Sequence, residues 1–85
     1  MKQFSYVLTN EDALQAKPIG CLTREAARFD SQMNLIKGQK AAALKEAKAL
    51  LGLDMQCGNR VTVTVEGKDE EAAVAAIQNY FVANM

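Results

Sequence analysis

Between Arg60 and Glu66 the chain reads RVTVTVE, with valine and threonine alternating without a break. Successive side chains of a strand point to opposite faces, so Val61, Val63 and Val65 lie on one side and Thr62 and Thr64 on the other. Such a segment needs a sheet with a core beneath the valines and water over the threonines. Eighty-five residues leave room for a single core, so the covering layer has to come from the same domain, residues 1–85.

The other segments supply that layer. Residues 2–8 alternate as well, with Phe4, Tyr6 and Leu8 on one face, and predict a second half-buried strand. Thr9 to Asp12 is a polar break that reads as loop. Pro18 suits the first turn of a helix, where its missing N–H costs nothing. Ile19, Leu22, Ala26 and Phe29 follow at helical spacing and predict an amphipathic helix over 17–29, with Arg24, Glu25 and Arg28 on the wet side. Met33 to Lys37 reads as a short strand and Gly38-Gln39 as a turn.

The next segment, KAAALKEAKALLGL at 40–53, has two readings. Its Ala, Leu and Lys content favours one continuous helix on propensity. The alternative is a strand at 40–44 followed by a short helix at 46–52. Beyond it, Gly52, Gly58 and Asn59 bracket a loop, and Gly67-Lys68 turns the chain after the valine strand. Asp69 is expected to cap a final helix, with Glu70 and Glu71 at its positive end and Val74, Ile77 and Phe81 as its apolar stripe. The order is βα, then ββα or one longer helix, then βα. It describes an α+β two-layer sandwich with helices covering one face of a mostly antiparallel sheet.

Charge and composition narrow the function classes. Ten basic residues against ten acidic ones leave no net charge. Binding nucleic acid takes a clustered cationic excess, and Lys37, Lys40, Lys45 and Lys48 are interrupted by alanines and Glu46. With no histidine and no CxxC pair the chain offers no zinc ligand set, so neither metal nor cofactor is expected. Cys21 and Cys57 are expected as free thiols, Cys21 being packing material near the start of the first helix. The opening residues alternate where a signal peptide would run apolar, and no stretch approaches the roughly 20 apolar residues of a membrane span. A cytoplasmic protein is therefore expected. Nucleophile-elbow, glycine-rich phosphate-loop and paired-carboxylate motifs are missing, and no enzyme is expected.

One corner stands out. A loop delivers the chain into a helix start at Ala16-Lys17-Pro18, where exposed backbone N–H groups and the Lys17 ammonium would favour an anion. The stretch Ala13-Leu14-Gln15-Ala16-Lys17-Pro18 resembles the G-[IL]-H-A-R-P segment of HPr, the small phosphocarrier of the bacterial phosphoenolpyruvate-dependent sugar phosphotransferase system. The similarity runs on through Ala26-Arg28-Phe29, Lys37-Gly38, Leu44-Lys45, Gly58 to Val65 and Gly67 to Glu71, covering nearly the whole chain.

The resemblance implies an open-faced sandwich of order βαββαβα, with a four-stranded antiparallel sheet, which makes residues 40–44 a strand. It places Gln15 where the family carries its phosphorylated histidine, and Lys17 where the family has an arginine. An amide cannot accept phosphoryl from phosphohistidine on enzyme I, because its nitrogen lone pair is delocalised. Lys17 keeps a charge but lacks the two-pronged grip of a guanidinium on phosphate. The catabolite-repression HPr of bacilli likewise has glutamine at this point and acts as a regulator.

The position of the regulatory serine falls on Glu46, whose carboxylate would mimic part of a phosphoserine. The neighbouring partner-contact positions become Lys45, Ala47, Lys48 and Leu51. The resemblance therefore implies protein partners, either a transcriptional regulator or a phosphotransferase-system component. A weak anion or phosphometabolite sensor at residues 15–18 and a degenerate phosphocarrier with no relay activity are the other readings. Phosphorylation on Thr23 or Ser31 is disfavoured, since neither has a base beside it in sequence.

Overall fold

The structure, a computed structural model, describes residues 1–85. Its elements follow the order β1 (Lys2–Val7), a 3-10 helix (Glu11–Leu14), α1 (Ala16–Ala26), β2 (Gln32–Lys37), β3 (Lys40–Ala43), α2 (Ala47–Leu51), β4 (Arg60–Glu66) and α3 (Glu70–Asn84). The strands form one antiparallel sheet in the order β1-β4-β2-β3. This is the βαββαβα sandwich that the family resemblance implies, within the two-layer α+β class that the residues themselves predict. The valine–threonine strand β4 sits in the middle, pairing Phe4 with Val63 on one side and Leu35 with Val63 on the other.

Residues 40–43 are a strand. They pair with 34–37 across the Gly38-Gln39 turn, where Gly38 adopts φ +61, a conformation that side chains disfavour. The single-helix reading of 40–53 fails because β2 has an open edge. Ladder hydrogen bonds and burial of Ala42 and Leu44 outweigh a helix preference of a few tenths of a kcal/mol per residue.

The core lies between the sheet and the helices. Phe4, Leu8, Met33, Leu35 and the three β4 valines face Ile19, Leu22 and Ala26 of α1, Leu50 of α2 and Ala73, Ile77 and Phe81 of α3. Two expectations shift by a few residues. The first helix ends at Ala26 and not at 29, because Arg28 and Phe29 donate to carbonyls three residues back and tighten the chain into turns. Phe29 still packs on the core. In α3 the buried stripe runs Ala73, Ile77, Phe81, with Val74 half-buried at its edge. The segment 72–76 is apolar all round, so periodicity could not fix which face turns inward.

Asp69 does not cap α3 with its side chain. Its carboxylate accepts from the backbone N–H groups of Asp30 (2.8 Å) and Ser31 (2.9 Å) and from the Ser31 hydroxyl. It thereby ties the β4–α3 turn to the α1–β2 connection. Gly67 makes this approach close enough: a Cβ there would lie 2.7 Å from Ser31 Cα, and its φ is +154. The Ser31 hydroxyl and the Asp30 and Ser31 amides stabilise the charged carboxylate and lower the Asp69 pKa below its ordinary 3.8.

A carboxyl with a depressed folded-state pKa contributes stability above its unfolded value and loses it as pH falls through the folded one. The native melting temperature should therefore fall as pH drops below 3.8. Asp69→Asn should lower it at neutral pH and flatten that acid decline. Parallel acid profiles for the two proteins, read by circular dichroism, would show that Asp69 is not responsible.

Candidate functional site

The exposed corner at the start of α1 is built by two short helices meeting. Asn10 caps the 3-10 helix, its side-chain oxygen accepting from the Asp12 N–H (3.2 Å). Ala13 and Leu14 anchor that helix on the core. Gln15 then breaks it with extended backbone (φ −87, ψ 168), and its carbonyl accepts from Ile19 N–H (3.0 Å) as the N-cap of α1. The Gln15 side chain makes no capping bond, and Gln15, Ala16 and Lys17 are all exposed. Pro18 is half-buried and fits the first turn.

The loop leading into this corner hangs on the far end of the chain. The Thr9 and Asn10 N–H groups donate to the Met85 carbonyl (2.8 and 2.9 Å), and Asn10 Nδ2 donates to the Asn84 carbonyl (3.0 Å). A shallow cleft of about 340 Å³ opens between α1 and α3, with Lys17, Pro18 and Cys21 on one wall and Tyr80 and Asn84 on the other. Burial, with Cys21 and Glu25 nearby, raises the Tyr80 phenol above its ordinary 10.0. Asp12 also lines the cleft, so its carboxylate offsets the single ammonium of Lys17. Nothing in the sequence announced this cleft, since its α3 wall lies more than sixty positions from Lys17.

The second group of residues surrounds α2. Glu46 is the exposed N-cap residue, and its carboxylate makes no bond to the helix backbone. At five residues α2 carries little of a helix dipole, so the dipole adds little to Glu46. Lys45 donates to the Phe29 carbonyl (2.7 Å) and holds the turn before α2 against the end of α1. Ala47 is half-buried on the core, whereas Lys48 and Leu51 are exposed. Helices α1 and α2 pack side by side, which puts Gln15 and Glu46 in the same helical layer. No hydrogen bond or ion pair links the two groups.

The remaining candidates have structural partners. Ser31 is fully buried on Asp69, and Thr23 Oγ1 donates back to the Ile19 carbonyl (3.1 Å). Cys21 and Cys57 are free thiols, with Arg24 donating to the Cys21 sulfur (3.2 Å). Lys37 binds the Leu53 and Asp54 carbonyls (3.0 and 2.7 Å), so two of the four spaced lysines are structural ties. No cluster of metal-ligating side chains forms, and no helix is long and apolar enough to cross a membrane.

Comparison with known proteins gives the arrangement a family. Residues 2–83 match the PTS-HPr family model, described as the PTS HPr component phosphorylation site. The phosphocarrier protein HPr of Mycoplasma capricolum is 28% identical over 82 residues, which is 96% of this chain and 92% of its own. Among solved structures, HPr-C-His from Thermoanaerobacter tengcongensis superposes with a TM-score of 0.92 at 28% identity, covering 99% of this chain and 94% of that one. The Bacillus subtilis catabolite repression protein Crh, described as a swapped dimer, superposes at 0.78 with 29% identity, covering 100% of this chain and 98% of its own. With the sheet order, the exposed helix tip and the family match in agreement, the chain belongs to the HPr family of the phosphotransferase system.

Proposed function

We propose that this chain is an HPr-family protein that does not relay phosphate and instead regulates other proteins by docking to them, as a single domain over residues 1–85. The observation that carries this reading is Gln15. An exposed carboxamide occupies the helix tip in a chain without any histidine. The tip keeps the shape of a phosphoryl-accepting corner and loses the nucleophile. With Thr23 and Ser31 already engaged, no hydroxyl named by the sequence stands ready to take its place. The protein is then no enzyme and no carrier.

Its docking surface combines the 15–18 tip with the exposed part of α2. Glu46 holds a permanent carboxylate at the position of the family's regulatory serine, free of any backbone bond, and Lys48 and Leu51 stand exposed beyond it. A single charge replaces the −1.5 to −2 of a phosphoserine, so the complex with a catabolite-control transcription factor is weaker but needs no kinase. The likeness to Crh supports a regulatory partner over a sugar-transport one.

Two measurements test this. Incubation with enzyme I and labelled phosphoenolpyruvate should leave the native protein unlabelled; acid-labile phosphate on it would overturn the loss of relay. Calorimetric titration against the transcription factor should show Glu46→Ala raising Kd by roughly two- to fivefold, the scale of one exposed ion pair. An unchanged Kd would remove Glu46 from the surface.

A further inference from the structure

The helices cover only one side of the sheet. On the other side, Ser5, Thr62, Ile36 and Ala41 form a continuous cross-strand row, tied by a 3.0 Å hydrogen bond between the Ser5 and Thr62 hydroxyls. The adjacent row through Thr64 and Asn34 is also uncharged. Only two charged residues of the strands lie on this face, Arg60 and Glu66, at opposite ends of the central strand β4. Both are exposed, and neither takes part in an ion pair.

We propose that this open face is a self-docking surface, on which a second copy of the chain packs with its β4 antiparallel to the first. Arg60, Thr62, Thr64 and Glu66 alternate with the buried valines and so project from the same side. Six residues of strand separate the two charges by about 20 Å. A two-fold axis lying between the sheets and crossing β4 near Val63 sets Arg60 over Glu66 of the second copy, and Glu66 over its Arg60. The parallel alternative sets like charges over each other, so the charges select one orientation.

The face also has the right relief. Stacked sheets lie about 10 Å apart, a gap that the uncharged side chains of the two faces, Ser5, Thr62, Thr64, Asn34 and Ile36 among them, can fill and that an Arg–Glu pair is long enough to bridge. Four strands spaced about 4.8 Å apart and a few rows deep offer roughly 400 Å² per copy, half of what a standard stable interface uses. The dimer is accordingly weak, rapidly exchanging and salt-sensitive.

Sedimentation equilibrium at low ionic strength tests this on the full chain. The native protein should dimerise reversibly at concentrations of roughly 1 mM, as expected of a weak, transient contact smaller than a standard stable interface. Arg60→Glu alone and Glu66→Arg alone should each raise the dimer Kd at least about tenfold, since two attractive pairs become repulsive. An equimolar mixture of the two variants should recover association as a heterodimer, and the double exchange Arg60→Glu/Glu66→Arg should restore the homodimer. Native-like melting of each variant confirms that the fold is intact. A monomer throughout would overturn the proposal. So would a dimer indifferent to these charges, which would point to strand exchange or another surface, and so would a mixture that fails to associate.

Discussion

Phe81→Ala should lose about 3–5 kcal/mol of folding free energy, a large share of the roughly 4–13 kcal/mol that a domain of this size possesses. Phe81 is fully buried, and its ring meets two others edge-on: Phe4 at 5.4 Å and 81°, and Tyr6 at 5.8 Å and 83°. Truncation leaves a cavity between α3 and β1 that neither ring fills without leaving its own strand position. At roughly 4–8 °C per kcal/mol, the melting temperature should drop by about 15–30 °C, measured by circular dichroism or calorimetry. Phe81→Leu keeps most of the volume and should cost only about 1–1.5 kcal/mol. A loss below about 1 kcal/mol for the alanine variant would show that the ring does not anchor α3.

The consequence reaches the functional corner. The end of α3 holds Thr9 and Asn10 through the Met85 and Asn84 carbonyls, and that loop leads into Gln15. In variants that remain folded, loosening α3 should therefore also broaden the amide signals of residues 9–15, a core defect read out at the exposed tip.

What the sequence disclosed was governed by the range of the interactions. Strands β1 and β4 were legible because alternation is local: Phe4, Tyr6 and Val61 to Val65 declare their faces within a few residues. Strand β3 was not. Lys40 to Ala43 carries no β-branched or aromatic residue, and its conformation is imposed by the ladder with β2; only the resemblance to HPr resolved it. Asp69 shows the same limit at a single side chain. Residue type and place marked it as a helix cap, yet its hydrogen-bond donors belong to Asp30 and Ser31, 39 and 38 positions away. In the sequence Lys37 and Lys45 are members of an interrupted basic spacing, and only the fold brings carbonyls of distant turns to them. The corner at 15–18 was legible as a stretch of sequence, whereas the cleft beside it exists only because α3 returns there.

Gln15→His should give a protein that takes up about one acid-labile phosphoryl group per chain from phosphoenolpyruvate and enzyme I, where the native chain should take up none. Gln15 sits at the tip of α1 with an unengaged side chain, exposed and flanked by Ala16 and Lys17. An imidazole at that place supplies the missing lone pair. A nitrogen–phosphorus bond forms on it as the corresponding bond on the phosphohistidine of enzyme I breaks, and the Lys17 ammonium stands two residues away to offset the charge that arrives. A point charge holds phosphate oxygens less well than a planar fork, so adding Lys17→Arg should speed transfer by about tenfold more. Gln15→Ala serves as the control and should stay unlabelled. A folded Gln15→His variant that remains unlabelled would mean that the tip has lost its enzyme I contact surface as well as its nucleophile. The reading would then shift from a corner disarmed at one atom to a surface rebuilt for other partners.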